Sequence, residues 1–201
     1  MKQDQMESFK AFVIVLIILV AIGAAALYIP TLYHPTSPNK LVYNNFEFEK
    51  KNDGFWYTQL QRNGTRYDVG LRYSPKEAET VPIRGKLNET FLQQPYYVTF
   101  DPDADATEFK YLALGVAEFG LNIVRGMGRE FVTACTKNVS EACADHPIVT
   151  CDNDDIPVVY FKTANETRVR LDGNCMTVEG TQMELLRATD RVLYHFYKIM
   201  P

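Results

Sequence analysis

Asp101, Asp103 and Asp105 occupy alternate positions just after an apolar run, and Asp152, Asp154 and Asp155 crowd behind Cys151. Carboxylates at such spacing are the oxygen ligands that calcium takes, and calcium at either cluster is the one cofactor the sequence suggests. The spacing leaves the motif unfinished: an EF-hand loop opening at Asp101 would need glycine at 106 and glutamate at 112, where the chain has Ala106 and Leu112. Asp105 also stands where a helix needs an N-cap, and aspartates in turns bond their own backbone. If the two acidic clusters lined one cleft they could serve as the carboxylate pair of a hydrolase acting on envelope material. Scattered over separate turns, they would not.

Other chemistry has less to stand on. Beyond the proline-rich stretch the only serines are Ser74 and Ser140, and neither lies in a G-x-S-x-G elbow. His195 falls on the polar face of a helical pattern, where it reads as an exposed residue. Gly126-Met127-Gly128 closes a helix instead of opening one, so it is no phosphate loop. A zinc site lacks any CxxC pair and has only His146 nearby. No catalytic residue emerges.

Cys135, Cys143, Cys151 and Cys175 are even in number, which in an oxidising compartment implies two disulfides out of three pairings. The reading chosen is Cys135–Cys143, closing the short loop ACTKNVSEAC, with Cys151–Cys175 joining the ends of a segment whose interior looks like paired strands. A thiol for Cys–His catalysis with His146 would not be left over. Sequons at Asn63, Asn88, Asn138 and Asn165, none with proline in the middle, lie in turn-like polar contexts and mark candidate N-glycan positions.

All eight of these residues follow a hydrophobic segment. Residues 11–29 carry no charge, and as a helix they would reach roughly 28 Å, about the hydrocarbon thickness of a bilayer. Lys2 and Lys10 precede the segment while Lys40 alone follows closely, so residues 1–10 are expected in the cytoplasm and the rest outside. A cleaved signal peptide is the competing reading, because Ala24 and Ala26 have small-x-small spacing. A pilin-like N-terminal helix is a third, opposed by Pro30, Pro35 and Pro38 and by the absence of a glutamate within the segment. Residues 30–40 form a proline-rich stalk, and 41–201 a single domain. That domain carries 18 Lys/Arg against 23 Asp/Glu, and without a concentrated basic surface a nucleic-acid partner is excluded.

The domain's elements must then position these side chains. FWYTQLQ and TRYDVGLRY flank Asn63-Gly64, a hairpin signal, and Ser74-Pro75 starts a short helical turn. PIRGKL and YYVTF supply strands. A long helix over about 107–125 is capped by Asp105 and buries Leu112, Val116, Phe119 and Ile123, with Ala113, Ala117 and Gly120 admitting a second backbone. Strands at about 147–151, 157–163, 167–171 and 174–178 follow. Thr181 and Glu184 form a capping box for a terminal helix burying Leu185, Thr189, Val192, Leu193, Phe196 and Met200. The expected fold is α+β: one layered domain of mainly antiparallel strands, since the connections are short, with two long amphipathic helices.

Cys135-Thr136-Lys137-Asn138, Cys143, Pro147-Ile148-Val149-Thr150-Cys151-Asp152-Asn153, Leu171-Asp172-Gly173-Asn174-Cys175 and Arg187-Ala188-Thr189-Asp190-Arg191 together resemble uncharacterised membrane-anchored extracytoplasmic proteins of archaea. The resemblance covers most of the domain. It implies a glycosylated domain at the cell surface and brings no catalytic residues. The expectation is therefore a single-pass envelope protein, held in lipid through residues 11–29, whose partner is an envelope protein or a surface glycan.

Overall fold

A computed structural model describes residues 13–24, 38–62 and 64–201. The N-terminal tail, both ends of the hydrophobic segment, nearly all of the stalk and Asn63 lie outside the described residues, as does the passage through Pro30 and Pro35 that bears on the pilin-like reading. The chain divides into two units, Met1–Pro38 and Asn39–Pro201.

In the first unit, residues 13–24 form helix α1. Ile14, Val15, Leu16, Ile17, Ile18, Leu19, Val20 and Ile22 are each more than half exposed. A helix apolar on all sides has no face to offer water. Among the described residues no helix is long and apolar enough to cross a membrane.

The second unit opens with an antiparallel meander of β1 (Lys40–Tyr43), β2 (Phe46–Lys50), β3 (Trp56–Arg62) and β4 (Thr65–Leu71). Asn44 and Asn45 both have positive φ, 47° and 67°, which makes the β1–β2 connection a tight turn of the kind asparagine tolerates. Alternation then sends Phe48, Trp56, Leu60, Val69 and Leu71 inward. Helix α2 (Pro75–Ala78) has the anticipated cap: Ser74 and Glu77 bond each other's backbone N–H in a complete capping box.

A six-stranded sheet is built from β5 (Ile83–Leu87), β6 (Tyr96–Phe100), β7 (Phe131–Cys135), β8 (Val158–Thr163), β9 (Arg168–Gly173) and β10 (Cys175–Gly180), in the order β5-β9-β10-β8-β6-β7. Here the antiparallel expectation holds only for the β9–β10 hairpin; β5–β9, β10–β8, β8–β6 and β6–β7 are parallel. Two causes are visible. Helix α3 (Ala106–Leu121) is the crossover between β6 and β7, and β7 is a strand the sequence reading did not assign. The short β8–β9 connection does not pair its strands, because β10 inserts between them. The strand expected at 147–151 is a single bridge between Ile148 and Cys135.

Helix α3 passes at Asn122–Gly126 into a π-helical turn, and α4 (Gln182–Phe196) closes the fold. The two helices pack on each other, α3 on β8 and α4 on β10. On their other side the meander reaches them through Phe48 against Tyr194, ring centroids 5.8 Å apart, and through the Arg72–Glu118 ion pair. The helices thus form a middle layer between two sheets. Leu112, Phe119, Ile123, Phe161, Met176 and Leu193 at its centre are fully buried, each contributing on the order of 1.5–3 kcal/mol by leaving water.

Three local expectations are corrected. Ala113 and Ala117 are exposed, and Gly120 accommodates the Phe131 ring, not a backbone. Thr181 is the α4 N-cap but makes no side-chain cap bond. The Glu184 carboxylate pairs with Arg187, and Glu108 reaches from α3 to accept from Gln182 N–H at 3.0 Å. The first-turn acid of one helix therefore caps the next. Finally, α4 is buried nearly all round, with Asp190, Arg191 and Tyr194 inside as well as Leu185, Thr189, Val192 and Leu193 of the expected stripe, because two sheets cover it instead of one; Phe196 is half-buried, and Met200 is buried but follows the helix.

Candidate functional site

The structure separates the two acidic clusters. Asp101 follows the C-terminal end of β6, whereas Asp152, Asp154 and Asp155 precede the N-terminal end of β8. Since β6 and β8 run parallel, the clusters sit at opposite ends of the sheet. Asp101 accepts from Thr136 Oγ1 and Tyr160 Oη, both at 2.7 Å. Burial, then this carboxylate, pushes the Tyr160 phenol well up. Asp103 pairs with Lys137 at 2.8 Å, and that bond holds its carboxyl below the ordinary range. Asp105 caps α3 by accepting from Thr107 and Glu108 N–H. Asp152 accepts from Thr150 Oγ1 at 3.2 Å in its own turn. Among the described residues no group of three His, Cys, Asp or Glu side chains is arranged to hold a metal.

The disulfides are Cys135–Cys143 and Cys151–Cys175. The second ties the loop ahead of β8 to the start of β10, and no cysteine is left free. Ser74 Oγ is spent on Glu77 at 2.6 Å, and Ser140 Oγ is enclosed without a partner among the described residues. No nucleophile–base pair forms at either serine. Asn88, Asn138 and Asn165 are all exposed.

His195 departs from its expected place. It is half-buried, its Nδ1 is enclosed with no hydrogen-bond partner among the described residues, and its ring lies 6.3 Å from that of Phe196. His195 and Phe196, in the last turn of α4, are shared by two clefts of about 420 and 540 Å³. The smaller has an aromatic floor. Phe91 and Tyr96 stand 5.1 Å apart, and Tyr96 stacks on Phe196 at 6.3 Å with planes inclined by 17°. Met127 and Leu92 line its sides, Leu92 being 68% exposed. Arg129 lies over the Tyr96 ring at 5.5 Å and donates to the Tyr96 hydroxyl at 2.9 Å. Burial raises the Tyr96 phenol, against the opposing pull of that guanidinium. Beyond His195, the larger cleft is bounded by Asn44, Lys198 and Met200.

Each wall has a local cause. The short 3₁₀ turn Glu89–Leu92 buries Phe91 and turns Leu92 outward. The π-helical turn and Gly128, at φ 59°, bring Met127 and Arg129 round from α3 to β7. Tyr96 N–H donates to Glu130 O at 3.0 Å, locking the two strand starts together. The result is an apolar, π-rich surface with a planar cationic donor and an imidazole on its rim. Such a surface binds rings and apolar groups and orients them by a few polar contacts. Sequence reasoning missed it because its residues come from four separate segments, and because Tyr96 and Phe196 read as ordinary strand and helix-core positions.

No protein-family model, no curated protein and no solved structure matches the chain.

Proposed function

We propose that the chain is a membrane-anchored envelope glycoprotein whose 41–201 domain is a non-enzymatic binding module, docking an envelope partner in the groove on either side of His195 and Phe196. The groove carries this reading: it offers aromatic and aliphatic contact surface with Arg129, His195 and Lys198 as polar guides, and among the described residues no serine or carboxylate pair accompanies them. The all-round apolar exposure of α1 supports anchorage through residues 11–29. Two disulfides support an oxidising location outside the cytoplasm. The resemblance to archaeal envelope proteins points the same way.

Crosslinking in native membranes, followed by purification in mild detergent and mass spectrometry, tests it. A reproducible neighbour lost in Phe196→Ala and Arg129→Gln, both checked for an unchanged circular dichroism spectrum, is the expected result. A neighbour retained by both variants removes the groove from the function, and recovery of the chain from the soluble fraction removes the anchor.

A further inference from the structure

Asn88 is an acceptor in the sequon Asn88-Glu89-Thr90 and also stands in the lining of the aromatic cleft. It caps the 3₁₀ turn: its Oδ1 accepts from Thr90 N–H at 3.0 Å, which fixes the side chain on the rim. Beside its amide nitrogen is Gly173, where even a Cβ would come within 3.4 Å of Nδ2. Asn138 and Asn165 lie in exposed bends instead. Asn88 lines a cavity of about 420 Å³, a size typical of small-ligand sites, so a substituent on its side chain begins beside that cavity.

The surfaces it would meet suit a sugar. Leu92, Met127 and Phe196 present apolar and aromatic faces for the C–H side of a pyranose ring, and Arg129 and His195 present N–H donors for its hydroxyls. We propose that Asn88 carries an N-linked glycan whose first sugars lie in this cleft and close it, so that occupancy of Asn88 decides whether the groove is open to a partner. This rests on the glycoprotein and binding reading above. The modification joins Asn88 Nδ2 to C1 of a sugar delivered by a lipid-phosphate-linked oligosaccharide. The C1–O bond to phosphate breaks, the phosphate leaves with the bonding pair, and the amide gives up one proton to solvent.

The test places a thiol in the cleft of the full-length chain, expressed in its native membranes. All four native cysteines are in disulfides, so Leu92→Cys introduces the one free thiol. Its labelling rate by a bulky maleimide is compared with that in Leu92→Cys/Thr90→Ala and Leu92→Cys/Asn88→Gln. Thr90→Ala abolishes the sequon while keeping Asn88 and the backbone N–H that it accepts from. Intact-glycopeptide mass spectrometry reads occupancy of each sequon, and the same series on Met127→Cys covers a disturbed turn at 92. The expected result is a glycan on Asn88 and labelling several-fold slower than in both sequon-less variants. Equal rates with Asn88 occupied overturn the packing while sparing the glycoprotein reading. A bare Asn88 beside occupied Asn138 or Asn165 overturns the proposal at its site, and a chain bare at every sequon sinks the glycoprotein reading with it.

Discussion

Opening either disulfide should cost stability in proportion to the loop it closes, and the two loops here differ enough to be ranked. Cys135–Cys143 spans 8 residues of sequence and Cys151–Cys175 spans 24. The loop-closure relation gives about 2.5 kcal/mol for the shorter and about 3.5 kcal/mol for the longer. A domain of this size shifts its melting temperature by roughly 2–4 °C per kcal/mol, so Cys151→Ser/Cys175→Ser should melt about 7–14 °C below the parent and Cys135→Ser/Cys143→Ser about 5–10 °C below. Thermal unfolding followed by circular dichroism in detergent, with and without reductant, reads both. Reductant should lower the parent's transition and leave unmoved a variant in which all four cysteines are serine. Melting temperatures within 2 °C of the parent, or the shorter loop proving the more costly, would refute the reasoning.

Asp190 is buried in α4, and burial raises its carboxyl well above the ordinary value against a 2.7 Å hydrogen bond from Tyr73 N–H. The folded state therefore binds this proton more tightly than the unfolded one. Stability from this residue is full below the unfolded carboxylate range and declines as pH rises towards the folded value. Asp190→Asn keeps an acceptor for Tyr73, so unfolding free energies from urea titrations should diverge in its favour by up to about 1.4 kcal/mol per pH unit across that window; parallel profiles would defeat the prediction. Glu179, 3% exposed, holds Arg168 at 2.5 Å and Arg170 at 2.8 Å; both arginines are more than a third exposed and hydrate once released, so Glu179→Ala should cost only about 1–3 kcal/mol in urea unfolding, and no measurable loss would show these bonds to be ornamental. Phe119→Ala, at a fully buried site touching Phe161 and Phe196, should cost about 3–5 kcal/mol, and a near-neutral result would contradict the three-layer core.

Much of this architecture was legible where local chemistry decides it. Ser74-Pro75, Asp105 and Asn63-Gly64 marked two helix starts and a hairpin because caps and turns are settled within a few residues. Asn44-Asn45 was equally local and could have been read as a turn from asparagine's tolerance of positive φ. Sheet order was not local. The alternation in the β8–β9–β10 segment looks the same whether β10 flanks β9 or divides it from β8, and Phe131-Val132-Thr133 went unassigned, which hid the β6–α3–β7 crossover. Asp105, Asp103 and Asp101, whose spacing suggested calcium, hold a helix cap, an ion pair and a tyrosine; one-dimensional spacing does not say which way a carboxylate turns. The cleft was illegible for the same reason, being assembled from segments up to about a hundred residues apart.

The burial of α4 on both sides bears on the binding role proposed for the groove. His195 and Phe196 close a helix whose preceding turns are fixed by Phe48 against Tyr194, by Tyr194 Oη donating to Tyr73 O at 2.7 Å, and by Thr189 Oγ1 bonding Leu185 O at 2.9 Å. Immediately after the helix, Tyr197 Oη donates to Asn122 Oδ1 at 2.8 Å, so the π-helical turn that presents Met127 is tied to the same helix end. Asn44 Nδ2, in the first hairpin, donates to Ile199 O at 2.9 Å. Three segments distant in sequence therefore hold one short stretch of chain. A wall secured in this way has little conformational freedom left to lose when a ligand arrives, so a modest contact area can yield specific binding. The same ties predict coupling: loosening the Asn122–Tyr197 bond should disturb groove binding before it disturbs the sheets, because it frees the wall while leaving the core beneath intact.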